Sequence, residues 1–164
     1  MTIRFGILTL SDRSASGERA DESGPALAEQ IRAQNWSVAK QAILPDDESA
    51  IRAILIEWSD SGEVDVILTT GGTGFAPRDI TPEATRAVIE RDAPGLAETM
   101  RAESLKKTPH AMLSRAVAGI RGHTLIVNLP GSPKGALENL QTILPVLPHA
   151  VQLLTDDPDS EVSH

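Results

Sequence analysis

The chain has 164 residues and carries 15 Lys and Arg against 23 Asp and Glu, a formal net charge of −8 at pH 7. This length predicts one domain with one substantial core. The acidic balance argues against general nucleic-acid binding, which needs a basic surface. A phosphate ligand would need local cations, backbone N–H groups or a metal to reverse the field at its site.

Further classes of site are excluded by residue usage. The chain has no Cys, so disulfides, thiolate nucleophiles and Cys-ligated metals are ruled out. Its 4 His residues are scattered, which argues against a His-based metal site. No apolar run approaches the roughly 20 residues of a membrane span, and the start lacks a signal-peptide pattern. We therefore expect a soluble, cytoplasmic protein with neither membrane nor nucleic-acid partners.

Strands and helices alternate in the first half of the predicted structure. Short apolar, partly β-branched runs predict strands, and apolar residues at 3.6-residue spacing predict helices. The predicted strands are residues 3–10, 38–44 and 64–69, and the predicted helices are residues 24–34 and 47–58. This order is typical of parallel strands joined by helical crossovers.

The second half continues with two helices, a hairpin and a long final helix. The helices are predicted at residues 81–91 and 95–105, and strand-like runs at 112–120 and 124–128 flank a turn at Gly122. The final helix, residues 135–154, contains Pro145 and Pro148, where it is expected to break.

The predicted fold class follows from this order of elements. We expect an α/β three-layer sandwich, with a mostly parallel sheet, one antiparallel strand from the hairpin, and helices on both faces. Residues 1–154 are predicted to form a single domain, and the acidic segment 155–164 a disordered tail. In open α/β sheets, ligands bind beyond the carboxyl ends of the strands, so functional residues are expected in the loops that follow them.

A glycine-rich loop follows the third predicted strand. It reads TTGGTGFAPRD, from Thr70 through Gly71, Gly72, Thr73 and Gly74 to Arg78 and Asp79. Bare backbone allows close approach of an anion, and Thr81 and Pro82 predict an N-cap and first helical position just beyond it. An ordinary strand-to-helix turn is the alternative. The loop matches neither a P-loop nor a GxGxxG fingerprint.

Three further loops follow predicted strands. NLPGSPKG contains Asn128, Pro130, Gly131 and Ser132, a predicted N-cap, with Lys134 as a nearby cation; a rigid turn is equally consistent with it. The polar loop starting SDR contains Asp12, and a solvated surface loop is its alternative.

The fourth loop carries two adjacent carboxylates. Asp47 is expected to cap its helix, which leaves Asp46 free. Together with Asp79, Asp46 could hold Mg²⁺, a cation bound through one or two carboxylates plus substrate phosphates.

Four motifs together resemble the molybdopterin adenylyltransferases, including the Mog-type proteins and gephyrin G domains. They are LTLSDRSASGERADESGPAL, LPDDESAI, TTGGTGFAPRDITPEAT and PHAMLSRAVAGIRGHTLIVNLPGSPK, in that order within residues 3–154. One position departs from some eukaryotic members, which have Ser where this chain has Ala116. A role for that serine does not transfer.

The resemblance implies a fold, a reaction and a set of site residues. The fold is the molybdopterin-binding fold and the assembly a homotrimer. The reaction converts ATP and molybdopterin, with Mg²⁺, to adenylyl-molybdopterin and pyrophosphate, and a molybdenum-insertion enzyme is a possible partner. Asp46 and Asp79 are the implied catalytic and metal-binding residues.

The remaining loop residues, from the resemblance and from the loop chemistry together, are expected to bind substrate. They are Asp12, Thr70, Gly71, Gly72, Thr73, Gly74, Arg78, Asn128, Pro130, Gly131, Ser132 and Lys134. The alternative functions are a molybdopterin-binding paralogue without transferase activity, a trimeric scaffold and a nucleotide pyrophosphatase.

Overall fold

The computed structural model describes residues 1–155, so the predicted tail from residue 156 onwards lies outside the described residues. Its elements are, in order, β1 (Arg4–Leu10), α1 (Asp12–Ala15), α2 (Ser23–Ala33), β2 (Ser37–Leu44), α3 (Glu48–Asp60), β3 (Val66–Thr70), α4 (Thr81–Val88), β4 (Arg91–Asp92), α5 (Pro94–Leu105), a 3-10 helix (Pro109–Leu113), β5 (Ala118–Arg121), β6 (Thr124–Leu129), α6 (Pro133–Ile143), a second 3-10 helix (Leu144–Val146) and α7 (Leu147–Leu154).

The strands form one six-stranded sheet in the order β2-β1-β3-β6-β5-β4. β2, β1, β3 and β6 are parallel, whereas β5 runs antiparallel to both of its neighbours. The predicted sheet with one antiparallel strand is therefore confirmed. The loops after the four parallel strands consequently lie at the same edge of the sheet, which we call the carboxyl edge.

Helices cover both faces because the side chains of a buried strand point alternately to opposite sides. Ile7, Val66 and Leu68 pack on one face with residues of α2, α6 and α7. Leu8 and Ile67 pack on the other with residues of α3 and α4. The predicted three-layer arrangement is therefore confirmed. Within residues 1–155, no helix is long and apolar enough to cross a membrane.

The hairpin is shorter than predicted. The predicted strand at 112–120 is wrong over residues 112–117, because Pro109–Leu113 forms a 3-10 helix and pairing starts at Ala118. The backbone N–H of Arg115 donates to Thr73 O (2.8 Å), so this segment bonds to the glycine-rich loop instead of a strand. Gly122 does form the turn, with φ +58°.

Two helix predictions also need correction. The helix predicted at 81–91 ends at Val88, because Glu90 and Ala93 donate their N–H groups to β5 and the chain between them becomes the edge strand β4. Thr81 does not cap α4, since its hydroxyl donates to Gly71 O (2.9 Å) and Ile80 occupies the N-cap position.

The final predicted helix is broken as expected near its prolines. It divides into α6, a 3-10 helix and α7. Pro145 lies in the first turn of the second 3-10 helix and Pro148 in the first turn of α7. The backbone N–H groups of a first turn have no acceptor within the helix, so proline, which lacks this N–H, is tolerated there.

Candidate active site at the carboxyl edge

All four predicted loops meet around one cavity of about 510 Å³ at the carboxyl edge. Asp46 and Asp79 line it together with Gly71, Gly72 and Gly131. The two carboxylates are therefore on the same side of the sheet and beside the glycine-rich loop. This juxtaposition is the geometric condition that a shared metal requires.

Asp46 is held by the loop that follows β1. Its N–H donates to Asp12 Oδ1 (2.9 Å), and its Oδ2 accepts from the Asp12 N–H (3.2 Å). Its other carboxylate oxygen, Oδ1, is buried and has no hydrogen-bond partner. Burial raises the pKa of Asp46, and the negative charges of Asp12 and Asp79 raise it further. The carboxylate is thus aimed at a place where a cation would be stabilised.

Asp79 lies at the end of a tight turn in the glycine-rich loop. Its Oδ2 accepts from the Ala76 N–H (3.0 Å), while its own N–H donates to Ala76 O (2.9 Å). A Cβ at Gly74 would lie 2.9 Å from Asp79 Oδ2, so the glycine allows the carboxylate to fold against the backbone. The orientation of the Asp79 carboxylate therefore depends on the shape of this turn.

Gly71 and Gly72 both have positive φ values, +109° and +68°. A Cβ at Gly71 would lie 2.3 Å from Leu10 O, and one at Gly72 would lie 2.3 Å from Thr81 Oγ1. The Gly71 N–H donates to Leu129 O (3.1 Å), so it is used within the protein and is not free for a phosphate. The positive φ values and the close approach of neighbouring atoms are therefore sufficient reasons for these two glycines, without a direct contact to a ligand.

Arg78 and Asp12 form an ion pair across the rim of the site. Arg78 Nε and Nη2 donate to the two carboxylate oxygens of Asp12 (2.7 and 2.9 Å), and Nη2 also donates to Asp46 O (3.2 Å). The guanidinium lowers the pKa of Asp12. The pair joins the loop after β1 to the glycine-rich loop. Neither side chain lines the cavity, and the Arg78 charge is already paired with Asp12, so Arg78 has little capacity to offset the negative charge of the site.

A second cavity, of about 340 Å³, lies on the other side of the glycine-rich loop. It is lined by Thr73, Gly74 and Pro130 among the predicted substrate-binding residues, and it shares Ser132 with the first cavity. Ser132 accepts from the Gly135 N–H (3.1 Å) and caps α6, as predicted. The two cavities therefore meet at the start of α6.

Like Asp12 and Arg78, two further predicted substrate-binding residues line neither cavity. Asn128 is fully buried, and its amide bonds to Thr69 Oγ1, Thr85 Oγ1 and the Val117 N–H. These bonds tie β6 to its neighbours and use the amide within the protein, so a direct substrate contact by Asn128 stays a prediction. Lys134 projects into solvent with 87% of its side chain exposed, near Glu138, and lines neither cavity.

Sequence reasoning missed several charged lining residues. Arg19, Asp21 and Glu22 line the first cavity, and Arg101 and Lys107 line the second. The acids of the first cavity, including Asp46 and Asp79, outnumber its cation. The second cavity carries more cations than acids. Arg101 and Lys107 belong to α5 and the turn after it, so only chain topology could have indicated their position.

The site fits a hard divalent cation that is completed by its substrate. Among residues 1–155, no three His, Asp or Glu side chains are grouped closely enough to hold a metal alone. Two neighbouring carboxylates, one with an unpartnered oxygen, match the way Mg²⁺ is held together with substrate phosphates and water.

Comparison with known proteins gives a consistent family. Residues 6–149 match the family model described as "Probable molybdopterin binding domain". The molybdopterin adenylyltransferase of Helicobacter pylori strain J99 is 44% identical over 155 residues, which cover 93% of this chain and 88% of that protein. The molybdenum cofactor synthesis protein cinnamon of Drosophila melanogaster is 49% identical over 158 residues, but this chain spans only 26% of its length.

Solved structures agree with the sequence comparison. The molybdopterin biosynthesis enzyme MoaB of Thermus thermophilus superposes with a TM-score of 0.90 at 54% identity, covering 96% of this chain and 99% of that one. The glycine-rich loop and both carboxylate loops lie within the matched range. The fold and the sequence together show that the chain belongs to the molybdopterin-binding domain family.

Proposed function

We propose that this protein transfers the adenylyl group of ATP to the phosphate of molybdopterin and releases pyrophosphate. The observation that carries the proposal is the placement of Asp46 and Asp79 beside the glycine-rich loop, in a cavity that adjoins a second one. The Helicobacter pylori relative, most of whose length this chain covers, is a molybdopterin adenylyltransferase, which supports the same reaction.

The reaction is a displacement at phosphorus. An oxygen of the molybdopterin phosphate forms a bond to the α-phosphorus of ATP, and the bond from that phosphorus to the bridging oxygen breaks. The electron pair leaves with pyrophosphate. Because the attacking phosphate is already ionised, no base is required, and alignment and charge neutralisation supply the catalysis.

Asp46 and Asp79 are the proposed metal-binding residues. Mg²⁺ held between them would neutralise charge on the phosphate oxygens. The unpartnered Oδ1 of Asp46 is the oxygen best placed to bind it, because the other oxygen of that carboxylate is already bonded to the Asp12 N–H. Arg78 belongs to the loop of Asp79 and donates to Asp46 O (3.2 Å), so it holds the two carboxylate-bearing loops together.

The two cavities provide separate places for the two substrates. They meet at Ser132, so molecules bound on either side of the glycine-rich loop would approach each other there. Arg101 and Lys107 line the second cavity with Glu138, which pairs with Lys107 (3.4 Å), so the cavity keeps a net positive charge that suits a phosphate without a metal of its own. Proximity of this kind converts a bimolecular encounter into a positioned one.

The test is mass spectrometry of the products formed from ATP, Mg²⁺ and molybdopterin. Asp79→Asn should lower turnover at least about 100-fold while substrate binding is largely retained. Asp47→Asn is the matched control, because it removes a neighbouring charge and Asn still caps α3. Turnover should be unchanged in the control.

Three outcomes would replace the proposal. Normal turnover by Asp79→Asn would remove that carboxylate from the mechanism. Rapid ATP cleavage without the pterin would indicate a nucleotide pyrophosphatase. Tight molybdopterin binding without product would indicate a binding paralogue or a scaffold.

Three predictions from the family resemblance extend this proposal. They are a homotrimer, a cytoplasmic location and transfer of the product to a molybdenum-insertion enzyme. Light scattering after size-exclusion chromatography tests the first, since a trimer has about three times the chain mass of 17.5 kDa. Subcellular fractionation tests the second, and co-purification with the insertion enzyme the third.

A further inference from the structure

Arg115 contacts the turn that carries Asp79 although it comes from the hairpin segment. β5 is antiparallel to β6, so the residues that precede β5 lie at the carboxyl edge beside the site. The Arg115 N–H donates to Thr73 O (2.8 Å), at the start of the turn that carries Asp79. The side chain is only partly exposed, at 34%.

The guanidinium of Arg115 then bonds to both ends of that turn. Its Nε donates to Gly74 O (2.7 Å), and its Nη2 donates to Asp79 O (2.7 Å). Residues 75–78, which lie between these two carbonyls, are exposed. One planar guanidinium thus sets the distance between the two ends of an exposed loop.

Glu83 fixes the orientation of the guanidinium in turn. Its carboxylate accepts from Arg115 Nη1 (2.7 Å) and Nη2 (3.1 Å). Glu83 lies in the first turn of α4, so the anchor is part of a helix that packs on the sheet. The guanidinium lowers the pKa of Glu83, so the pair stays ionised at neutral pH.

We propose that Arg115 is a positioning residue for the Asp79 carboxylate, setting the shape of the turn at residues 74–79. This inference rests on the proposed function. The Asp79 side chain is held by the Ala76 N–H inside that turn, so a change in the shape of the turn moves the carboxylate relative to Asp46. Groups that orient a metal-binding residue typically affect metal affinity or activity about 10- to 100-fold.

Arg115→Lys tests the proposal because lysine keeps the charge beside Glu83 but cannot reproduce the planar fork. Arg121→Lys is the matched control. Arg121 also forks onto a carboxylate, Asp60, and donates to a carbonyl, Val88 O, but it lies at the opposite edge of the sheet. Both substitutions remove guanidinium hydrogen bonds to a carboxylate and to a backbone carbonyl, but only Arg115 lies beside the site.

Three measurements are made on the full chain. Hydrogen exchange of the peptide containing residues 72–80 reports the turn, Mn²⁺ binding followed by electron paramagnetic resonance reports the carboxylates, and kcat and KM report catalysis. For Arg115→Lys we expect faster exchange, Mn²⁺ affinity lowered about 10-fold or more and a kcat lowered about 10- to 100-fold, with KM for ATP nearly unchanged. Arg121→Lys should match wild type in all three.

The outcomes separate this inference from the proposed function. Unchanged exchange in Arg115→Lys, or faster exchange with unchanged Mn²⁺ affinity, overturns the positioning role. If wild type makes no adenylyl-molybdopterin, the proposed reaction fails, and a selective loss of Mn²⁺ affinity in Arg115→Lys still supports positioning. Equal losses in both arginine variants, or no Mn²⁺ binding by wild type, also overturn it.

Discussion

Replacing Gly72 by Ala should damage both stability and activity. Gly72 has φ +68°, a conformation that costs a residue with a Cβ about 1–2 kcal/mol. The new methyl would also lie 2.3 Å from Thr81 Oγ1. That hydroxyl donates to Gly71 O (2.9 Å), and displacing it forfeits a hydrogen bond of about 1 kcal/mol. We expect a loss of about 2–3 kcal/mol in the free energy of unfolding.

The effect on catalysis has a separate cause. The same methyl would lie 3.2 Å from Asp46 Oδ1, the carboxylate oxygen that lacks a partner. It would crowd the position proposed for Mg²⁺, so turnover should fall about 10-fold or more in the protein that remains folded. A higher Mg²⁺ concentration should also be needed for half-maximal rate.

Gly62→Ala is the control that separates the cost of a positive φ from the cost of the steric clash with Thr81. Gly62 has φ +74°, but an added Cβ would meet nothing within 4 Å. Urea denaturation should show that this variant loses only the backbone cost, about 1–2 kcal/mol, with normal turnover. Equal stability losses in the two variants, together with wild-type turnover in Gly72→Ala, would refute the reasoning.

Two further predictions concern buried polar groups. Asp46→Asn should stabilise the metal-free protein at neutral pH. The pKa of the Asp46 carboxyl is raised in the folded protein, so the folded state binds more protons than the unfolded state. The free energy of unfolding of the wild type therefore falls as the pH rises from the unfolded-state pKa to the folded-state pKa. Thermal melts across this range should show the advantage of the variant disappearing on acidification, and an advantage that persists at low pH would contradict the cause. Asn128→Ala should lower the free energy of unfolding by about 1–3 kcal/mol, because it leaves the buried hydroxyls of Thr69 and Thr85 short of a partner. Urea denaturation measures this, and a variant with unchanged stability but weakened substrate binding would instead make Asn128 a ligand contact.

Local patterns along the chain were sufficient to predict the architecture and the edge of the sheet at which the candidate site lies. Alternating apolar and amphipathic runs report local burial, and seven of the ten predicted elements match an observed strand or helix to within two residues at each end. Parallel strands connected through helices bring their following loops to one edge, which predicted that Asp46, Asp79 and the glycine-rich loop would meet. These features depend on periodicity and connectivity, which are both readable along the chain.

The hydrogen-bond partners of the polar side chains became visible only in the folded structure. Arg78 pairs with Asp12, and the buried amide of Asn128 donates to Thr85 Oγ1. These contacts join residues that are far apart in sequence, and no local pattern specifies them. The strand prediction over residues 112–117 fails for the same reason, since the Arg115 N–H bonds to the glycine-rich loop and not to a ladder. Side-chain partners are chosen by the packed fold, because a guanidinium or amide bonds to whichever acceptor the neighbouring loops bring within reach.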